Sequence, residues 1–183
     1  MTYKNKNKTI ITSVLVSFVL LFSTQIANAS EITSENVINN VNKERQARML
    51  QPLKNNELLM KAAEDKSRHM IINNYFEHYA LGLTPWSFII NTGYDYSIAG
   101  ENLAMGFKTS EGIVEAWMDS PAHRANILNP DYEDIGIGIV KGEYTEDGKK
   151  IDTVMTTNML AKPKPVINRI FNRIVESFNN LFK

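Results

Sequence analysis

The run Trp117-Met118-Asp119-Ser120-Pro121-Ala122-His123-Arg124-Ala125-Asn126-Ile127-Leu128-Asn129 decides how this chain is read. Ser120 followed by Pro121 predicts a helix start. A serine hydroxyl can accept the free N–H groups of a first turn, and proline at the first helical position gives up only a donor that would lack a partner. His123 then falls in that first turn. Ile127 and Leu128 lie one turn on and can face a core, while Asn129-Pro130 stops the helix, because a residue before proline avoids helical dihedrals. A histidine held this rigidly beside an apolar face is either packed and satisfied or part of a site, and the run alone leaves both readings open.

Working outward, Thr109 or Ser110 caps a helix carrying Ile113, Val114 and Trp117, which leads directly into the run. After it the period changes: Ile135, Ile137 and Ile139 alternate with Gly136, Gly138 and Val140, a strand with glycines where another element comes close. Thr145 to Gly148 is a turn, and Ile151 to Leu160 returns antiparallel. Towards the N-terminus, Ser34 to about Leu50 is an amphipathic helix whose outer face, Lys43, Glu44, Arg45 and Arg48, reads as solvated. A second helix runs from Asn55 or Asn56 to about Asn73 on Leu58, Leu59, Ala62, Ala63, Met70 and Ile71, and His69 beside Arg68 reads as a surface residue. Thr84-Pro85 opens a short helix that ends at Gly93. Helices come first and the sheet late, so the class is α+β, with helices covering a small antiparallel sheet.

Residues 1–29 read as a secretory signal peptide. Lys4, Lys6 and Lys8 form a basic head, Ile10 to Phe22 an apolar run, and Ala27-Asn28-Ala29 a small-x-small cleavage site. The apolar run is short of the roughly 20 residues a spanning helix needs. Cleavage after Ala29 is the expectation and an uncleaved anchor the alternative, so the protein is expected to be secreted or extracytoplasmic, in the cell envelope. Without the three head lysines, 17 basic residues face 20 acidic ones, a net charge of −3, which offers no footprint for nucleic acid. No cysteine is present, which excludes thiol catalysis, thiolate metal sites and disulfide staples.

Residues 162–183 differ in kind. Lys162-Pro163-Lys164-Pro165 reads as a stiff linker, and Ile167, Ile170, Phe171, Ile174, Val175, Phe178, Leu181 and Phe182 recur as the apolar stripe of an amphipathic helix. Three roles are open for it: docking on the domain, self-association, or contact with a membrane surface.

The polar groups set among apolar residues are His78, Glu101 and His123. Two imidazoles and a carboxylate can hold a divalent metal such as zinc with positions left for water. They can equally form a hydrogen-bonded cluster in which the carboxylate orients an imidazole without metal. Their separations match no ligand signature of the H-E-x-x-H kind. Ser120 lacks the G-x-S-x-G elbow of a serine nucleophile.

The segments V-I-N-N-V-N-K-E-R, P-L-K-N-N-E-L-L-M-K-A-A, F-E-H, A-G-E-N-L-A, A-W-M-D-S-P-A-H-R-A-N-I-L-N and I-G-I-G-I, in this order, resemble the CAP superfamily, also called the SCP domain, in its short bacterial form. The domain is expected over residues 30–161. The resemblance implies a three-layer α-β-α sandwich with a central cavity lined by histidines and acidic residues, and it assigns cavity positions to His78, Glu101 and His123. Animal and plant members usually carry a further glutamate where this chain has Ser120, and Glu115, about 140° away around the helix, cannot replace it and reads as exposed. Family members are linked to divalent-metal binding, in some eukaryotic branches to sterol or fatty-acid binding and, in isolated cases, to proteolysis. The expectation for this chain is a binding or interaction module for a metal, small ligand, lipid or protein, and a metal- or histidine-dependent hydrolase, peptidase or esterase, is the alternative.

Overall fold

The computed structural model describes residues 32–165 together with Val175. The expected signal segment and, Val175 apart, the expected tail helix lie outside the described residues. Helix α1, Ser34–Gln46, is capped by the Thr33 side chain, which accepts from Asn36 N–H. It stops short of Leu50 because Met49 turns to a φ of 60° and the N–H of Leu50 reaches back to the Arg45 carbonyl, closing the last turn. Strand β1 is only Lys54–Asn55, too short to leave a pattern. Helix α2, Glu57–Ile72, starts from the Asn56 side chain as expected, and α3, Pro85–Asn91, from a reciprocal Thr84–Ser87 cap.

Strand β2, Tyr96–Met105, is not foreseen by the sequence pattern, because Gly100 to Ala104 are buried on both faces and show no alternation. Helix α4, Ser110–Asp119, is capped by Thr109, and α5, Pro121–Ile127, follows at once. Contrary to the expectation from sequence, Ser120 occupies the cap position of α5 but its side chain makes no cap hydrogen bond. Strands β3, Asp134–Glu146, and β4, Lys149–Pro163, form a long hairpin. Strand β4 takes Lys162 and Pro163 into the sheet, so the first half of the expected linker is paired chain.

The sheet order is β1-β3-β4-β2. It is antiparallel as expected except at β1, which runs parallel to β3. One face is covered by α2 and α3, through Leu59, Ala62, Ala63, Phe88 and Ile89. The other carries α1, α4 and α5, whose Val37, Ile38, Val41, Ile113, Trp117 and Ile127 pack on Ile135, Ile137 and Leu160. These are the three layers expected. The β3 glycines let α2 lie directly on the sheet: a Cβ on Gly136 would stand 2.2 Å from the Leu59 carbonyl carbon, and one on Gly138 2.1 Å from that of Ala63. No side chain fits between strand and helix there.

Two side chains read as surface are not. Arg45 is 1% exposed, and its guanidinium bonds the carbonyls of Gln51, Ile127 and Asn129 at 2.7 to 2.9 Å. His69 is half-buried, with Nδ1 2.8 Å from the Tyr75 hydroxyl and its ring packed on Tyr75 and Phe88.

Candidate functional site

The Gly100-Glu101-Asn102 triplet lies on the edge strand β2, and strand alternation sends its side chains to opposite faces. Glu101 stands in register with Met159 and Gly136, on the side covered by α2. Gly100 and Asn102 turn the other way. A Cβ on Gly100 would lie 2.5 Å from the Tyr132 hydroxyl. Asn102 is fully buried; its Nδ2 donates to the His123 carbonyl at 3.2 Å, and its Oδ1 accepts from Asn126 Nδ2 at 2.8 Å. Asn126 Nδ2 also reaches the Glu101 carbonyl at 3.1 Å. The triplet thus fastens α5, with His123, to the strand that carries Glu101.

On the α2 side, Glu101 Oε1 and His78 Nδ1 are 2.6 Å apart. The carboxylate side chain is 2% exposed and the imidazole side chain 45%. The ring nitrogen facing the acid is therefore spoken for, and Nε2 is the nitrogen left for other partners. Glu101 Oε2 is buried and has no hydrogen-bond partner in the protein. The carboxylate, deprived of water, is pushed above its ordinary pKa by burial, against the opposing pull of the His78 hydrogen bond and the charge of Lys66.

His78 comes from the loop after α2, which turns at Asn74 with a φ of 52°. Asn74 ties the loop to Thr145 at the far end of β3 through a pair of hydrogen bonds. Beneath the loop lies Lys66, 1% exposed, whose ammonium donates to the carbonyls of Glu77 and His78, both at 2.8 Å. Burial lowers the Lys66 pKa, and the charges of Glu101 and Glu77 oppose that shift. Tyr75, beside the same ammonium, is raised to about 12 by burial and by the charges of Glu101 and Glu77.

His123 is half-buried near the start of α5. Its pKa is lowered first by burial and then by the charge of His78. Glu115 is exposed, as expected. Among the described residues, no three His, Cys, Asp or Glu side chains are grouped so as to hold a metal ion. The geometry gives Glu101 Oε1 a partner in His78, and the donor atoms left over are imidazole nitrogens and the buried Oε2 of Glu101.

Sequence reasoning missed Lys66, Tyr75 and Asn126. Lys66 had a signal, since it continues the buried spacing Leu59, Ala63, Met70.

The same architecture recurs in known proteins. The model of the CAP, or cysteine-rich secretory protein, family matches residues 38–158. The chain belongs to the CAP family. YkwD of Bacillus subtilis is 44% identical over 106 residues, covering 57% of this chain and 41% of that protein. The membrane protein YlbC of the same organism is 34% identical over 82 residues, covering 44% and 24%. The CAP chain described here thus spans well under half the length of these two relatives. An extracellular protein containing a SCP domain from Bacillus anthracis superposes with a TM-score of 0.60 at 24% identity, over 70% of this chain and 40% of its own. An outer surface protein of Borrelia burgdorferi does so with a TM-score of 0.59 at 22% identity, over 74% and 99%. At these identities the two structures share the CAP fold.

Proposed function

We propose that this CAP domain is an extracytoplasmic binding module whose ligand site is formed by His78 and His123, with Glu101 as the group that orients His78. The observation that carries this reading is the 2.6 Å contact between the half-exposed His78 ring and the buried Glu101 carboxylate. A carboxylate on Nδ1 fixes the tautomer and turns Nε2 outward, as it does for metal-ligating histidines. Glu101 therefore acts through His78, where the sequence allowed it to be a ligand itself. Two imidazoles with water completing the coordination suit zinc or another imidazole-preferring divalent ion better than calcium or magnesium, which seek oxygen. The signal-like N-terminus supports the location, as do the similar proteins described as extracellular and outer surface.

Isothermal titration with zinc at neutral pH is the test. The unaltered protein binds, His78→Ala/His123→Ala loses binding, and Glu101→Gln binds about 10- to 100-fold more weakly. Equal affinity in all three proteins removes the reading.

The same pair favours one other role. An imidazole with Nδ1 on a buried carboxylate is arranged as a general base towards water at Nε2, which supports the hydrolase alternative. Cleavage of a peptide and ester library that disappears in His78→Ala establishes that role, and an inert library removes it.

A further inference from the structure

We propose that Lys66 is the positioning residue of the His78–Glu101 pair: its buried ammonium fixes the backbone on both sides of His78 and so sets where the imidazole points. The two carbonyls it bonds, at 2.8 Å each, are consecutive. The Glu77 carbonyl belongs to the peptide plane entering His78, and the His78 carbonyl to the plane leaving it. Holding both planes holds the Cα–Cβ direction between them. Packing cannot supply this, because the His78 side chain is 45% exposed.

The ammonium is itself held. Its aliphatic stem rises from α2 on the buried stripe with Ala63 and Met70. Its nitrogen lies 5.1 Å from the centre of the Tyr75 ring and 5.6 Å from that of Phe88. Those rings are fixed in turn by His69, which bonds the Tyr75 hydroxyl and packs edge-on against Phe88. A buried ammonium is costly unless it is surrounded in this way, and a methionine or leucine would fill the stem's space without that cost. The placement therefore answers to the loop it grips.

The zinc part of the test rests on the binding reading above, whereas the ring part does not. Long-range proton–nitrogen spectra of the histidine rings, at a pH of about 8, report the His78 tautomer and the proton shared with Glu101. In the unaltered protein this proton is observed and Nε2 is unprotonated. In Lys66→Met the proton is lost to exchange with water, the two ring nitrogens average, and zinc affinity falls about tenfold or more. Arg45→Met removes another buried cation that bonds backbone carbonyls, away from this loop, and leaves the His78 proton in place. An unchanged His78 proton in Lys66→Met, or its equal loss in both variants, overturns the proposal. Should Lys66→Met fail to fold, couplings across the hydrogen bonds from Lys66 Nζ to the two carbonyls, measured in the unaltered protein, decide in its place, and their absence overturns it. Zinc binding by none of the proteins removes the binding reading and leaves the ring result standing.

Discussion

Arg45 and Lys66 are two buried cations, each 1% exposed, and each spends its hydrogen bonds on backbone carbonyls outside its own helix. Arg45 reaches from α1 to the C-terminal end of α5, where carbonyls lack partners and the helix dipole favours a cation. Lys66 reaches from α2 into a loop with no helix end to satisfy. Burial opposes the charge of both, but only Lys66 has carboxylates, Glu101 and Glu77, that draw its charge back up. One is a brace between helices; the other is a brace placed under a half-exposed histidine. A buried charge that serves only the fold satisfies structure already present, whereas one that serves a site holds chain that would otherwise move.

The strongest challenge to this contrast removes the platform of Lys66. Gly138→Ala puts a methyl group 2.1 Å from the Ala63 carbonyl carbon, which is backbone and cannot step aside without lifting α2. We expect a loss of about 4 kcal/mol or more, or no folded protein at all, measured by urea denaturation. A stable Gly138→Ala protein means that α2 does not lie this close, and the reach of Lys66 to the loop would then fail with it.

Arg45→Met comes next. Three carbonyls lose a charged donor, and we expect a loss of roughly 3 kcal/mol. The unfolding midpoint should fall while the His78–Glu101 pair persists. If that pair is disturbed as much as in Lys66→Met, the two cations are alike and the contrast is void.

Both cations were half-visible in the sequence. Arg45 lies four residues after Val41, and Lys66 three after Ala63 and four before Met70, so each continues an apolar helical stripe. Each also sits in a run of charges, Lys43-Glu44-Arg45 and Glu64-Asp65-Lys66, which reads as a solvated face. Their partners are loop carbonyls, which carry no residue-type signal. The helix starts at Asn56, Thr84 and Thr109 and the glycines of β3 were legible because capping and close approach demand particular residue types. Strand β2 was not, since burial on both faces erases the period of two. His78, Glu101 and His123 could be named from their apolar surroundings and from the family motif, and a carboxylate orienting an imidazole was one of the two arrangements open to them; which imidazole Glu101 meets is a matter of distance.

A smaller effect concerns the charge of Lys66. Burial and the Lys66 charge both hold the His69 pKa below its usual value, and burial and His78 do the same for His123. With the folded pKa below the unfolded one, the unfolded chain binds protons first, so the stability due to these rings is complete above about pH 6.5 and is lost as pH falls through the folded values. Thermal unfolding between pH 7 and 5 should show this slope, and His69→Gln should flatten part of it. An unaltered slope in that variant means His69 does not feel the Lys66 ammonium.

The smallest effect bears on how α5 is held. If Arg45 seats α5 from its C-terminal end, the N-terminal end should depend little on the side chain of Ser120, which makes no cap hydrogen bond. Thr109, by contrast, accepts from Gly112 N–H at 3.0 Å and caps α4 directly. Thr109→Ala should cost about 1 kcal/mol, and Ser120→Ala should stay within roughly 0.5 kcal/mol. The two are compared by denaturant midpoint in the same buffer. A Ser120→Ala loss as large as that of Thr109→Ala would show that α5 is anchored at its start through the serine, in addition to Arg45 at its end and the Asn102 and Asn126 bonds to β2.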